Sequence, residues 1–305
     1  MSTPARRRLL AGLGFTSLWI VGLGVFTLYP VIASLYYSFC DYSILQRPVW
    51  IGMENYRQLA GDEVFRVALR NTLFYAAVSV PLGVVVSLAL ALLLNCEVRG
   101  RAVFRTLFYL PSIVPVVASS MLWLWIFNGE YGLLNFVLAP VFALWGGAPP
   151  AWLGDPAWAK PALVLMSLWG VGNAMVIYLA GLQDVPKELY ESAEIDGAGP
   201  VRRFWHITLP MISPVLYFNV IMGLIGAMQV FTQAFVLSSS ISGGDGTLGS
   251  PARSTLFYAV YLYSTAFQDL RMGYASAMAW IFFLIIAALT WIANAIADRR
   301  VHYSC

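Results

Sequence analysis

Charged residues are scarce in this chain. They make up 11% of its 305 residues, whereas hydrophobic residues make up 60%. A soluble domain carries about 25% charged residues, so the composition excludes an ordinary soluble protein and predicts an all-α integral membrane protein. The net charge is only +3 and the basic residues are scattered, which argues against nucleic acid as a partner.

The chain has only two lysines, and their positions exclude a phosphate-binding P-loop. The only lysines are Lys160, which follows Ala159, and Lys187, which follows Pro186. A phosphate-binding P-loop requires Gly-Lys-Ser/Thr, so this chain is not expected to hydrolyse ATP itself. The sequence also lacks an H-E-x-x-H motif and a G-x-S-x-G elbow, and no enzymatic activity is predicted.

Cysteine and histidine are also few. Cys40, Cys96 and Cys305 are far apart and odd in number, and His206 and His302 are isolated. Neither a disulfide framework nor a metal site is therefore expected. Acidic residues are absent from the long uncharged runs, so the carboxylate relay that proton-coupled carriers place inside the membrane is missing. If the chain is a transporter, its energy must come from another protein.

The chain is rich in long runs without charged residues. Six uncharged runs exceed the roughly 20 residues that a helix needs to cross a bilayer. The six predicted transmembrane helices occupy about 12–36, 72–94, 106–128, 161–183, 212–237 and 273–297. The first run is too long for a cleavable signal peptide. A seventh run, 131–154, is predicted to be an interfacial or re-entrant piece, because its apolar part is only 13 residues long.

The distribution of lysine and arginine predicts the topology. With the N-terminus inside, eleven of these residues lie on the inner side and seven on the outer side. The positive-inside rule therefore places both termini in the cytoplasm. The predicted domain organisation is a single transmembrane domain over 1–305, with a cytoplasmic loop over 184–210.

The 184–210 loop is the most polar stretch between two long apolar runs. Pro186 suits the start of a helix, and Gly197 and Gly199 allow the chain to leave that helix in a left-handed conformation. Pro200 then suits the start of a second helix. The loop is therefore predicted to be two short helices joined at a corner, a shape suited to docking on a partner outside the membrane.

Two outer segments are also predicted to be folded. Trp50–Tyr56 leads into a short helix-like run, and Thr255–Phe267 has the pattern of an amphipathic helix at the membrane surface. Between them along the chain, Ser238–Ser250 is a Gly/Ser-rich turn that contains G-G-D-G.

The spacing of the 184–210 loop resembles the EAA loop of binding-protein-dependent ABC importer permeases. Glu191-Ser192-Ala193 is followed after three residues by Gly197, and after nine more by Ile207-Thr208-Leu209-Pro210. The match departs from the family pattern only at Ser192, where Ala is usual and Ser is small enough to pack similarly. Four further segments are similar to sugar-type permeases: 52–56, 105–111, 132–135 and 272–277. The likeness covers about 50–297 and is greatest to the first of the two permeases (the MalF/UgpA-like type) of carbohydrate and glycerol-phosphate importers.

This resemblance implies a type I ABC importer permease fold with six transmembrane helices and a cytoplasmic coupling-helix loop, in the bacterial inner membrane. The implied partners are a second homologous permease, two ATPase subunits, an extracytoplasmic solute-binding protein and membrane lipid. It also implies that this chain binds no cofactor, since ATP and Mg²⁺ are used by the ATPase subunits. Closure of the ATPase dimer would move the loop as a lever and rock the two permeases between inward and outward access.

The resemblance also suggests site residues. Those expected to couple to the ATPase are Glu191, Ser192, Ala193, Asp196, Gly197, Ala198, Ile207, Leu209 and Pro210. Those expected to line the solute pathway, on the spans flanking the loop, are Trp169, Asn173, Gln229, Thr232 and Gln233. An equally weighted alternative is that these pathway residues only join helices by hydrogen bonds, and Gly170 and Gly172 would serve close helix packing.

Several functions stay open at this stage. The solute could be an oligosaccharide, a monosaccharide glycoside or glycerol-3-phosphate. The absence of cations in the spans favours a neutral sugar only slightly, because a partner subunit could supply the charge. A peptide or amino-acid ABC importer is disfavoured by the sugar-type segments. An ion-coupled secondary carrier is disfavoured by the missing titratable groups and internal repeat, and an intramembrane enzyme by the missing nucleophile.

Overall fold

The computed structural model describes residues 3–96, 99–144, 146–147, 149–241 and 249–297. The prediction of a mainly helical chain is confirmed. The helices are α1 Thr3–Leu23, α2 Tyr29–Tyr37, α3 Glu54–Gly61, α4 Glu63–Asn95, α5 Arg101–Ile113, α6 Val116–Ile126, α7 Leu133–Leu144, α8 Pro156–Trp169, α9 Gly172–Gln183, α10 Lys187–Ile195, α11 Pro200–Arg203, α12 Leu209–Met211, α13 Ser213–Met228, α14 Thr232–Ile241, α15 Tyr258–Tyr263 and α16 Met272–Ala297. Two short antiparallel strands, β1 Cys40–Asp41 and β2 Val49–Trp50, interrupt them.

Four helical segments of the described chain, some of them made of two successive helices, are long and apolar enough to cross a membrane. They are Gly12–Tyr37, Glu63–Asn95, Ser213–Ser238 and Met272–Ala297. These helices contain, or nearly coincide with, the first, second, fifth and sixth predicted spans.

The third and fourth predicted spans each fall on a bent pair of helices. The axes of α5 and α6 differ in direction by 99°, and those of α8 and α9 by 50°. The first bend lies at Val114 and Pro115, whose backbone is extended, because proline disfavours a helical conformation in the residue before it. The described chain therefore has four helical segments that could span a membrane, or up to six if each bent pair counts as one.

The described chain packs as two compact units. The first consists of residues up to Asp62 together with Leu262–Leu284. In it, Asn55 on α3 is buried, and its Nδ2 donates to the carbonyl oxygens of Ser38 and Cys40, at 2.9 Å each. The hydroxyl of Tyr274 on α16 donates to Asp62 Oδ2 at 2.7 Å. The predicted folded segment around Trp50–Tyr56 is thus a turn and helix held to the chain by side-chain hydrogen bonds.

The second unit consists of Glu63–Tyr261 and the residues from Ile285 onward. Its central helix is α4, which packs against α8, α9 and α13. One apolar cluster surrounds Trp123 and Phe127, and another surrounds Met175 and Leu179. Helix α4 contributes side chains to both clusters, so it connects them within this unit.

The expectation of an amphipathic surface helix over Thr255–Phe267 is wrong. Helix α15 begins only at Tyr258, and Thr255, Leu256 and Tyr258 are all buried. Polar side chains of α4 fix this backbone: Asn71 Nδ2 donates to the Leu256 carbonyl at 3.0 Å, and the hydroxyl of Thr72 accepts from the Tyr258 amide at 2.9 Å. A segment anchored in this way is part of the core.

The other two loop predictions have mixed outcomes. The 131–154 segment contains the short apolar helix α7, which continues through Pro140, and its interfacial or re-entrant position stays a prediction. The indole Nε1 of buried Trp152 donates to Oδ1 of buried Asn135 at 2.6 Å, which ties the end of this segment back to its helix. The G-G-D-G turn at 243–246 lies outside the described residues.

Candidate functional site

The 184–210 loop contains the predicted helix–glycine–helix corner. Helix α10 ends at Ile195, and Gly197 follows with φ of +77°. The Gly197 amide donates to the Glu194 carbonyl at 3.0 Å, and the Ala198 amide donates to the Ala193 carbonyl at 2.8 Å. This pair of bonds is the Schellman motif, which a residue in the left-handed region closes and which glycine adopts without a Cβ penalty.

The second half of the loop is anchored to the helix core. After α11, a π-helical turn over Phe204–Thr208 leads into α12. Ile207 and Leu209 pack against the apolar cluster around Met175. The hydroxyls of Tyr190 and Thr208 lie 2.9 Å apart and are hydrogen-bonded. The loop is therefore tied to the helices that it connects.

A salt bridge also joins the two halves of the loop. Arg203 Nη1 lies 3.1 Å from Glu194 Oε2. Glu194 is largely exposed, so the pair is worth at most about 1 kcal/mol. It joins the C-terminal parts of α10 and α11.

The loop presents an exposed apolar face. Ile195 is 87% exposed, Val201 70% and Trp205 59%. A surface groove of about 570 Å³ runs along Gly199–His206. On α10, Glu191 is exposed and has no ion-pair partner among the residues that the structure describes. An apolar face with an unpaired carboxylate is typical of a protein-docking surface.

The nine predicted coupling residues divide into two groups. Those that face outward or form the corner are Glu191, Ser192, Ala193, Asp196, Gly197 and Ala198. Those that lie at the anchored end are Ile207, Leu209 and Pro210. The first group is the more exposed of the two, and Ile207 and Leu209 of the second group pack against the core.

An open cavity of about 260 Å³ with a mostly apolar wall lies in the second unit, among α4, α8, α9, α13 and α14. Its polar lining residues are Tyr75, Ser79, Ser87, Ser167, Tyr178, Asn219 and Gln233. No charged residue lines it. In a helix core this apolar, a cluster of neutral hydroxyl and amide groups suits a ligand that forms neutral hydrogen bonds.

The cavity wall on α4 has a signal in the sequence that the predictions did not use. Tyr75, Ser79, Gly83 and Ser87 recur at every fourth position and all line the cavity. Residues four apart share one face of a helix, so this stripe extends about 18 Å along α4 at about 1.5 Å per residue. Small and hydroxyl-bearing residues on one face of an apolar helix could have indicated the cavity.

Of the five predicted pathway residues, the structure places one on this cavity, Gln233. Trp169 packs edge-to-face on Trp123, with ring centroids 6.0 Å apart, at the margin of the first apolar cluster. Asn173 and Gln229 are exposed, and Thr232 begins α14. The five are therefore not gathered around this one cavity.

One of the two glycines expected to serve close helix packing does so. A Cβ on Gly172 would overlap the Phe108 carbonyl oxygen and lie 2.8 Å from the Cα of Tyr109, so this glycine permits α5 and α9 to touch. A Cβ on Gly170 would meet only the Ser167 carbonyl oxygen, at 3.7 Å.

Comparisons with known proteins agree with this architecture. A permease described as a probable ABC transporter permease, YesP of Bacillus subtilis (strain 168), is 39% identical over 304 residues, which is 99% of this chain and 95% of that protein. The lactose transport system permease protein LacF of Rhizobium radiobacter is 33% identical over 91% of both chains. The sn-glycerol-3-phosphate transport system permease protein UgpA of Yersinia pestis is 32% identical over 95% of this chain and 98% of its own.

The fold is that of an ABC importer permease. A chain in the crystal structure of a bacterial alginate ABC transporter, in complex with an alginate pentasaccharide-bound periplasmic protein, superposes with a TM-score of 0.80. It is 24% identical, and the match covers 99% of this chain and 98% of that one. A family model described as binding-protein-dependent transport system inner membrane component matches residues 79–303. The chain belongs to this family of ABC transporter permeases.

Proposed function

We propose that this chain is one permease of an ATP-driven importer for a carbohydrate-type solute. It forms half of the translocation pathway, with a second homologous permease forming the other half. Two ATPase subunits bind and hydrolyse ATP with Mg²⁺, and an extracytoplasmic binding protein delivers the solute. The exposed, anchored corner at Gly197 carries this proposal, because it supplies a docking surface to a chain that has no nucleotide site of its own.

The 184–210 loop acts as the coupling element. Its outward face offers Ile195, Val201 and Trp205 to an apolar groove on the ATPase subunit, and Glu191 offers a carboxylate to a basic residue there. Because Ile207 and Leu209 pack into the helix core, movement of the docked face is transmitted to α9 and α13. This account places the loop and both chain termini in the cytoplasm of a bacterium, with the helices in its inner membrane.

The solute is a neutral, hydroxyl-rich molecule. The cavity lining supplies hydroxyl and amide groups without a charge, whereas a phosphorylated solute would need cationic partners. One relative is named a lactose permease and another is named a glycerol-3-phosphate permease. Glycerol-3-phosphate is therefore the second candidate.

The proposed pathway includes the cavity and the five residues suggested by the sequence, Trp169, Asn173, Gln229, Thr232 and Gln233. Exposed positions such as Asn173 and Gln229 would face the second permease across the pathway. Gln233, which lines the cavity, would connect the two parts.

Uptake into proteoliposomes tests this proposal. The complete complex is reconstituted with ATP inside and binding protein outside, and is offered a panel of labelled lactose, a neutral trisaccharide, an alginate oligosaccharide and glycerol-3-phosphate. We expect uptake of a neutral member that requires both ATP and binding protein. Uptake of glycerol-3-phosphate alone would overturn the neutral-solute assignment, and ATP-independent uptake would overturn the importer assignment.

A further inference from the structure

Arg271 is held in place at the surface of the first unit. It lies directly before α16. Its Nη2 donates to Gln58 Oε1 on α3 at 2.8 Å, and its guanidinium carbon lies 4.5 Å from the centroid of the Tyr274 ring, which is a cation–π contact. Tyr274 is itself buried, and its hydroxyl donates to Asp62. These contacts orient the guanidinium, although Arg271 is an exposed residue.

The oriented guanidinium has no anionic partner in the described part of the chain. The salt bridges there join Arg57 to Glu54 and Arg203 to Glu194. Arginine has five N–H donors, of which the hydrogen bond to Gln58 uses one. The remaining donors and the positive charge of Arg271 are therefore left for water or for another molecule.

The backbone directly before Arg271 is strained. Leu270 has φ of 56°, in the left-handed region that residues with a Cβ disfavour. The Arg271 amide donates to the Thr265 carbonyl and the Asp269 amide to the Ser264 carbonyl, each at 3.0 Å. A glycine at position 270 would adopt this bend at a lower cost. Strained residues persist where the surrounding structure fixes them, and they are concentrated at functional sites, so the bend supports a function for the arginine that follows it.

The residues near Arg271 on α3 and just before that helix have the composition of a protein interface. The exposed side of α3 is polar and carries Arg57 and Gln58. Two large apolar side chains precede this helix in the chain, Trp50, which is 59% exposed, and Met53, which is 61% exposed. Arginine, tryptophan and methionine are enriched where proteins bind each other. A polar helix next to the guanidinium favours a protein in water, and not a lipid, as its partner.

The chemistry of the guanidinium identifies the group that it binds. Its planar fork can donate two parallel hydrogen bonds to one carboxylate. A side chain that is already held in place loses less conformational freedom when such a pair forms. An acidic residue on the surface of a partner protein fits both properties of Arg271.

We propose that Arg271 is a docking residue for the extracytoplasmic solute-binding protein and that it forms a salt bridge with a carboxylate of that protein, while Gln58 and Tyr274 hold the guanidinium in position. This inference rests on the proposed function, which supplies the partner. The proposed topology puts the C-terminus in the cytoplasm, so the start of α16 lies on the outer side. The inference goes further by assigning a contact residue and a charge to this interface.

The test titrates the purified solute-binding protein of this system onto the complete complex in nanodiscs, prepared either from zwitterionic lipid alone or with added anionic lipid. We expect Arg271→Ala to bind about 10- to 100-fold more weakly than wild type in both, the range that a charge-assisted hydrogen bond supports. The affinity of wild type should fall as salt rises, because salt screens the pair, and this dependence should be weaker in Arg271→Ala. Arg271→Lys keeps the charge without the fork, so we expect an intermediate affinity.

Two variants are matched controls. Arg57→Ala removes the same charge from the neighbouring helix, but Arg57 already pairs with Glu54, so we expect nearly wild-type affinity and salt dependence. Gln58→Ala breaks the hydrogen bond to Arg271 but keeps the guanidinium, so we expect a much smaller loss of affinity than in Arg271→Ala. Because both of these changes at the Arg271–Gln58 contact remove the same hydrogen bond, their thermal unfolding midpoints should be similar.

The outcomes separate this inference from the proposed function. Wild-type affinity in Arg271→Ala, or an equal loss in Arg57→Ala, overturns the docking role and leaves the importer assignment standing. An equal loss in Gln58→Ala also overturns it, because Arg271 then only links α3 to α16. A loss confined to nanodiscs with anionic lipid makes a lipid headgroup the partner and overturns it too. If the wild-type complex does not bind the solute-binding protein, the proposed function itself fails.

Discussion

The left-handed corner at Gly197 allows a quantitative prediction about coupling. The residue has φ of +77°, and a Cβ added there would meet no atom within 4 Å. Any cost of substitution therefore comes from the backbone and not from a steric clash with a neighbour. A non-glycine residue in the left-handed region costs roughly 1–2 kcal/mol, with asparagine tolerated better than alanine and β-branched residues worst.

The affinity of the permease for the ATPase subunit should be highest with Gly at position 197 and should fall in the order Asn, Ala, Val. If the loop of the free permease can adopt another backbone conformation, the free-energy cost of the left-handed residue appears only in the complex with the ATPase subunit. About 1–2 kcal/mol then corresponds to roughly a 5- to 30-fold loss of affinity for Gly197→Ala, since each 1.4 kcal/mol is about tenfold. The assay is titration of the purified ATPase subunit onto the permease in nanodiscs.

Gly199 provides the matched control for this series. It lies two residues away, with φ of −69°, an ordinary backbone conformation, and a Cβ there would also meet nothing within 4 Å. We expect Gly199→Ala to bind the ATPase subunit like wild type. Equal losses at both glycines, or normal binding by Gly197→Val, would refute the argument from backbone strain.

Two further predictions concern packing and buried hydrogen bonds. Gly172→Ala should lower the thermal unfolding midpoint by overpacking the α5–α9 contact, at a cost of about 1–3 kcal/mol, whereas Gly170→Ala should have little effect; equal midpoints would contradict the close contact with Phe108. Trp152→Phe should cost about 1–3 kcal/mol by leaving buried Asn135 without its indole donor. In the same melting experiment, the double variant with Asn135→Leu should lose less than the sum of the two single-variant losses. Additive losses in the double variant would contradict a direct bond.

Local patterns predicted the elements that depend on local chemistry. Uncharged run lengths located the apolar helices that could cross a membrane. The placement of Pro186, Gly197, Gly199 and Pro200 predicted two helices with a corner between them, but only Gly197 is left-handed, and the expectation for Gly199 is wrong. These signals work because a helix needs about 20 residues to cross a bilayer and because glycine alone adopts the left-handed conformation at little cost. The functional roles of the loop residues stay predictions.

Features that depend on contacts distant in sequence were missed. The 99° bend between α5 and α6 was missed for a different reason, because the run length was read without the local signal of Pro115, which disfavours a helical conformation in Val114. The segment from Thr255 looked amphipathic, but Asn71 and Thr72, more than 180 residues away, bind its backbone and bury it. Such a contact leaves no local signal.

The pathway residues show the same limit. Polar residues in the spans were chosen for their chemical type, whereas packing between helices decides which side chains face a cavity. Gln233 lines the cavity, but Trp169 packs against Trp123 instead. Ser79 and Tyr178 line it without being conspicuous in the sequence.

The central claim is that the 184–210 loop couples ATP hydrolysis in partner subunits to transport through this chain. The most direct test measures solute-stimulated ATPase activity of the co-expressed complex in lipid, with wild type, Gly197→Asp and Glu191→Lys. We predict that both variants insert and fold but lose stimulated hydrolysis, or lose the ATPase subunits on purification. Normal stimulated hydrolysis by both variants would contradict the claim and leave the loop as a solvated connection between two helices.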